Sequence, residues 1–328
     1  MGFMAGPTVY FFVRFAEPVR HSMLGGPKVV VQQAEILNAH GIRARIVFRR
    51  RRPWPWRGDD LFIPEREFGR SLGPDDLVVV PGRLAHRLDR VPGRNKVILT
   101  QLVQQTLAGF PVEFDGAYPW HRDDVRAILT VSDHNAELMR LAAPGCPVLV
   151  TYNRIEIEDF PYRPWSEKKD LVAVNWPARE RKNPRHTRML LNLLRSRAAA
   201  LDTPFGGWRI QVIENLSDAE LRRTLAEARL LFFLSSDEGL GLLPLEALAA
   251  GTVVAGYDLG PLDEFLPAEY RREWADMAGL VELVEAVADP ERAGEWERLT
   301  RQARPVAERY SKDRQVASVL EAYRGLLG

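Results

Sequence analysis

Leu230 to Gly251, LLFFLSSDEGLGLLPLEALAAG, constrains this chain more than any other stretch. Leu230 to Leu234 are continuously apolar and include two phenylalanines, the pattern of a parallel strand covered on both faces, and Ser235, Ser236 and Asp237 end the run. Gly239 and Gly241 let the backbone approach a ligand. Pro244 suits the first turn of a helix that Ala247 to Ala250 continue and Gly251 closes. A strand, a glycine turn and a helix in that order aim free amides at one point, and a helix N-terminus favours an anion, typically a phosphate. Glu238 at the strand end and Glu246, read here in the first turn of the helix, flank that point. An ionised carboxylate accepts hydrogen bonds and donates none, so the pair suits hydroxyls on either side of a phosphate. A sugar joined through a diphosphate to a ribose has that layout.

The rest of the chain repeats the strand-turn-helix order. Thr8 to Phe15 reads as a first strand, and a polar loop follows as far as Gly25-Gly26. Pro27 then opens a helix with Val30, Ala34 and Leu37 on one face, Gly41 stops it, and Ile42 to Phe48 is a second strand. This is a βαβ unit of the phosphate-binding kind. Leu77 to Gly82, Asn95 to Gln101 and Ala127 to Asp133 are further buried strands ending in polar residues or glycine, the ends that collect ligands. Gln101, Gln104, Gln105 and His134 lie just past two of them. Glutamine is neither acid nor base, so no proton donor is expected near Gln101. The polar, proline-bearing segment Tyr162 to Lys169 reads as a linker, with the domain boundary near Pro164. Asp170 to Trp176, Trp208 to Glu214 and Thr252 to Asp258 are strands of the second half, and Ser217 with Glu220 forms a capping box.

A length of 328 residues suits two domains, and 46% hydrophobic residues suffices for two cores. The expected architecture is α/β, with two Rossmann-like domains, residues 1–163 and 164–310, and a last helix, 311–328. A net charge of +1 argues against a nucleic-acid partner. The single cysteine, Cys146, excludes an internal disulfide and favours a cytosolic address, and no apolar stretch is long enough to span a bilayer. Arg49 to Arg57, RRRRPWPWR, is the sharpest change of composition. Its arginines with Trp54 and Trp56 suit a peripheral contact with an anionic membrane, a lipid-phosphate acceptor or nucleic acid, or form an ordinary solvated loop.

The string from Glu238 to Gly251 resembles the E-x7-E signature of family 4 retaining glycosyltransferases with the GT-B fold, with Leu243 where that family often carries proline. Gly260-Pro-Leu-Asp-Glu264, the serine-led turn at Ser132 and the aromatic-serine start of the last helix resemble further segments of the family. The resemblance implies transfer of a sugar from a nucleotide diphosphate sugar to an acceptor hydroxyl with retention at the anomeric carbon, by two domains facing across a cleft, 1–163 on the acceptor side and 164–310 holding the donor, with the last helix packing back on the first. It places Glu238 near the sugar hydroxyls, Glu246 on the ribose, and Gly239, Leu240, Gly241 and Leu242 along the donor, with Gly25 and Gly26 beside its phosphates. Arg179 and Lys182 stand where the family holds the diphosphate, with Arg181 as a rival for Arg179. Gln101, Gln104 and His134 fall on the acceptor side, in a region where relatives often carry His or Asp. No cofactor and no metal are expected, since the sequence has no Asp-x-Asp and no His/Cys cluster with ligand spacing. Sugar-nucleotide epimerases share the architecture, and a non-catalytic nucleotide-sugar binder is the other alternative.

Overall fold

The computed structural model describes residues 6–13, 25–48, 61–175, 183–214 and 216–328. The chain divides into two compact units, Met1–Asn153 with Asp313–Gly328, and Arg154–Lys312. In the first, β1 (Val9–Phe12), α1 (Gly25–Ala39), β2 (Ala44–Phe48), β3 (Phe62–Pro64), α2 (Glu65–Ser71), β4 (Leu77–Pro81), β5 (Asn95–Thr100), α3 (Val103–Leu107), β6 (Val125–Thr130), α4 (Asp133–Ala142) and β7 (Val148–Val150) follow in order. In the second come β8 (Lys169–Asn175), α5 (Pro184–Leu201), β9 (Arg209–Ile213), α6 (Asp218–Glu227), β10 (Ala228–Phe233), α7 (Leu242–Ala249), β11 (Val253–Tyr257), β12 (Arg271–Arg272), α8 (Met277–Ala288) and α9 (Ala293–Glu308). The last helix, α10 (Lys312–Leu327), returns to the first unit.

Among the described residues of the first unit seven strands are parallel, in the order β3-β2-β1-β4-β5-β6-β7. Successive side chains of a strand point to opposite faces, so the apolar runs feed two cores. Val9 and Phe11 pack with α1 and α10 through Val30, Leu37, Val319 and Tyr323. Tyr10 and Phe12 pack on the other face with Phe68 of α2 and Met139 of α4. Polar bonds add register to the α10 contact. Gln33, fully buried, donates to Thr151 Oγ1 at 3.0 Å and accepts from Tyr323 OH at 3.1 Å, and Ser318 Oγ accepts from Tyr152 N at 3.1 Å.

Among the described residues of the second unit five strands are parallel, β12-β11-β10-β8-β9, around one continuous core. The capping box at the start of α6 is present, with Glu220 N bonded to Ser217 Oγ and Ser217 N to Glu220 Oε2.

The segment read as a linker is packed structure. Ile155 N bonds to Tyr310 O, Arg163 N to Ala250 O, and Trp165, itself buried, donates its main-chain N–H to Glu297 Oε2. The division accordingly falls at Asn153 and Arg154 rather than near Pro164, because polar residues that look solvated in sequence are bonded to α9 and to the end of α7. β3 and α2 had no counterpart in the sequence reading. Arg49 to Arg57, with Trp54 and Trp56, lie outside the described residues. No described helix is long and apolar enough to cross a membrane.

Candidate active site

In the second unit the chain leaves β8 outward to β9 and returns on the other side of β8 as β10, so the strand order reverses between β8 and β10. Ligands of open α/β sheets bind beyond the carboxyl ends of the strands at such a reversal. Two loops leave that point. From β10 comes Ser235 to Gly241, in which Ser235 Oγ donates to Asp237 O at 3.5 Å. From β8 comes the segment 176–182, with Arg179, Arg181 and Lys182, which lies outside the described residues.

Glu238 and Glu246 are both half-buried, and both have partners within the protein. Glu246 is not in the first turn of α7. The helix begins at Leu242, ahead of Pro244, because Gly241 as N-cap adopts φ 93° and turns the chain early, so Glu246 falls in the second turn. Leu240 is buried in the hydrophobic core and Leu242 packs against it, which leaves their main chain, not their side chains, to face a ligand. Gly239 has a partner within the protein. At Gly241 a Cβ would stand 2.9 Å from Leu262 Cδ2, so glycine is required by conformation and by space. Gly241→Ala is expected to cost about 2 kcal/mol, most of it from the left-handed backbone, read as a lowered urea midpoint with an unchanged slope.

Sequence reasoning missed an aromatic cluster on the same end of the sheet. Tyr257 closes β11, and its hydroxyl lies 2.7 Å from His186 Nδ1 in the first turn of α5. Trp274 packs on both, with ring centroids 4.9 Å from Tyr257 and 5.1 Å from His186, and remains 47% exposed. The next residue, Ala275, takes φ 64°, a conformation that costs a residue with a Cβ and that clusters at functional sites. Burial, with the charge of Asp276 second, raises the Tyr257 phenol above its ordinary value. These residues are separated in sequence and carry no motif.

In the first unit the strand order reverses between β1 and β4. Gly25 and Gly26 are the first residues of α1 rather than a turn before it. Gln101, just past β5, donates Nε2–H to Gly26 O at 2.9 Å, and a Cβ on Gly26 would stand 2.9 Å from Gln101 Oε1. Gln101 is therefore a tie to the start of α1. Gln104, on α3, has a buried Oε1 with no partner among the described residues. His134 is the second residue of α4, half-buried and with a partner, and that helix starts at Asp133 after the Ser132 cap. Arg83, unnoticed in the sequence, lies just past β4 and donates from a terminal guanidinium nitrogen to Val13 O at 2.9 Å, spanning the reversal between β4 and β1. Desolvation lowers its pKa. A cavity of about 730 Å³ between β7 and α10 is lined by Arg126, Leu149, Ser318 and Glu321 among others, and none of Gly25, Gly26, Gln101, Gln104 or His134 borders it. Among the described residues no three His, Cys, Asp or Glu side chains gather as a metal site.

Residues 206–295, which contain the loop Ser235 to Gly241 and α7, match the family described as Glycosyl transferases group 1. Solved structures align over nearly the whole chain. A glycosyltransferase from Rickettsia africae ESF-5 is 13% identical with a TM-score of 0.67, covering 99% of both chains. A sucrose-phosphate synthase from Thermosynechococcus elongatus is 16% identical at 0.66, covering 98% of this chain and 99% of that one. The fold is GT-B. A pneumococcal O-GlcNAc transferase, GtfA, solved with UDP and GlcNAc, is 9% identical at 0.66 over 99% of this chain and 100% of that one. Among curated protein sequences none matches.

Proposed function

We propose that this protein transfers a sugar, with retention of anomeric configuration and without a metal, from a nucleotide diphosphate sugar to an acceptor hydroxyl in envelope-glycan, glycolipid or secondary-metabolite synthesis. The observation that carries the reading is the strand reversal between β8 and β10, from which the Glu238 loop and the arginine- and lysine-bearing segment both depart. The match of residues 206–295 to group 1 glycosyl transferases and the neighbour solved with UDP support it. In this reading the amides at the start of α7 and the cations Arg179 and Lys182 meet the diphosphate. Glu246 accepts from the ribose and Glu238 from the sugar. The bond from the anomeric carbon to the diphosphate oxygen breaks as the acceptor oxygen bonds to that carbon from the same face, and the acceptor proton passes to the departing diphosphate. Gln101, Gln104 and His134 lie on the acceptor side, and the acceptor is lipid-linked if Arg49 to Arg57 dock on an anionic membrane inside the cell.

The test is a thermal-shift screen with UDP-, GDP-, ADP- and dTDP-sugars, since a ligand bound only by the folded chain raises its stability. Stabilisation by one of them, and release of its nucleoside diphosphate in EDTA once a cell-envelope lipid extract is added, is expected. Interconversion of the free nucleotide sugar without acceptor identifies an epimerase, and binding without turnover identifies a binder. Glu246→Gln is expected to weaken the matching nucleoside diphosphate about tenfold, the loss of one charge-assisted hydrogen bond. Equal affinity of variant and wild type by calorimetry removes the ribose role.

A further inference from the structure

We propose that Asn183 is a positioning residue that ties the start of α5 to the end of β10, the strand that delivers the Glu238 loop of the donor site; its link to the donor rests on the function proposed above. Asn183 is the N-cap of α5 and takes the left-handed conformation, φ 50° and ψ 55°. An asparagine there ordinarily turns its side chain back onto the amides of its own helix. This one makes no such bond. Its Nδ2 donates instead to Leu234 O at 2.6 Å, while its carbonyl accepts from Thr187 N at 3.1 Å and Thr187 Oγ1 at 3.3 Å.

The main chain of Asn183 thus belongs to α5 and its side chain to the end of β10. Leu234 is buried and is followed directly by Ser235 to Glu238, and Lys182 directly precedes Asn183 in the sequence. One short amide therefore joins the strand that delivers the acidic loop to the first turn of α5 at the reversal point. Glycine meets the left-handed requirement more easily than asparagine. The conformation alone does not call for an amide; the bond to Leu234 does. A rigid frame of this kind is what holds charged groups in a productive geometry around a ligand.

The test uses the full chain with Asn183→Gly, which keeps the backbone conformation and drops the bond, and Asn183→Asp, which tolerates the conformation but has no N–H for the carbonyl. Hydrogen exchange at Ser235 to Gly241 and the Kd of the tightest binder among UDP, GDP, ADP and dTDP are measured. In both variants exchange quickens and the Kd rises, each by about tenfold for the loss of one hydrogen bond, while the melting temperature moves little. Unchanged exchange in both variants overturns the positioning role, and if Asn183→Gly does not fold, Asn183→Asp decides alone. Quickened exchange with unchanged affinity overturns the link to the donor. If the wild type binds none of the four nucleotides, the proposed function fails while the exchange comparison still decides the role of Asn183.

Discussion

Lys168→Met is expected to lower the unfolding free energy at pH 9 by about 1 to 3 kcal/mol, the cost of leaving a buried carbonyl without its donor. Lys168 is 5% exposed, and its ammonium donates to Leu225 O, Ala226 O and Ala228 O at 3.1 to 3.2 Å and to Thr252 Oγ1 at 3.0 Å. Leu225 and Ala226 lie in the last turn of α6, where carbonyls have no partner within the helix. Methionine fills similar space and leaves those acceptors to Thr252 alone, whose hydroxyl already serves Leu225 O and Ala228 O. An orphaned buried carbonyl costs about 1 to 3 kcal/mol.

The same lysine gives stability a pH dependence. Burial, with the like charge of Arg163 second, pulls its pKa down to about 7, against roughly 10.4 in an unfolded chain. Between those values the unfolded chain keeps a proton that the folded one releases, so stability rises as pH goes from 7 toward 10. Below 7 both states carry the charge and its burial cost is fully felt. Above about 10 the trend turns over, because burial raises Tyr257, Tyr270 and Tyr323 and folding then holds protons that the unfolded chain loses. Urea midpoints at pH 7, 8 and 9 check this: the wild-type line climbs and the Lys168→Met line stays flat. Parallel lines would show that the four acceptors hold the ammonium charged throughout.

Lys168 also marks where the sequence stops being legible. Strands buried on both faces, such as Leu77–Pro81 and the stretch from Leu230 to Phe233 in β10, are read directly because they are continuously apolar. Their ends follow, and with them the loop at Glu238. Tyr162 to Lys169 misleads because polar residues satisfied by distant carbonyls look the same in sequence as solvated ones; the partners of Lys168 lie 57 to 84 positions away. β3 is three residues long and too short for any periodicity to register. The turn that holds Glu246 depended on the conformation of Gly241, which a strand-turn-helix pattern does not fix to the residue. Arg83, His186, Tyr257 and Trp274 are brought to strand ends only by topology, which no local pattern encodes.

Lys182→Ala is expected to lower kcat by about 10² to 10³, the range for removing a group aimed at charge that develops in the transition state. As the bond to the anomeric carbon breaks, negative charge gathers on the diphosphate, and with no metal in the proposed mechanism it falls to cations and amides to stabilise it. A point-charge ammonium does this regardless of exact donor geometry, whereas in the proposed mechanism Arg179 acts mainly as a bidentate donor to the bound phosphates. Arg179→Ala therefore raises the donor KM with a smaller loss of kcat. Glu238→Gln keeps the shape of its side chain and removes the charged acceptor for sugar hydroxyls, so it lowers kcat for the intact donor while leaving the affinity for the bare nucleoside diphosphate unchanged. Glu238 is half-buried in the loop before α7 and is not among the buried core residues of the second unit. Steady-state kinetics with the donor found by thermal shift decides it. Wild-type kcat in Lys182→Ala would put the diphosphate elsewhere than between β8 and β10, and a melting temperature lowered by the substitution would assign the residue to structure instead.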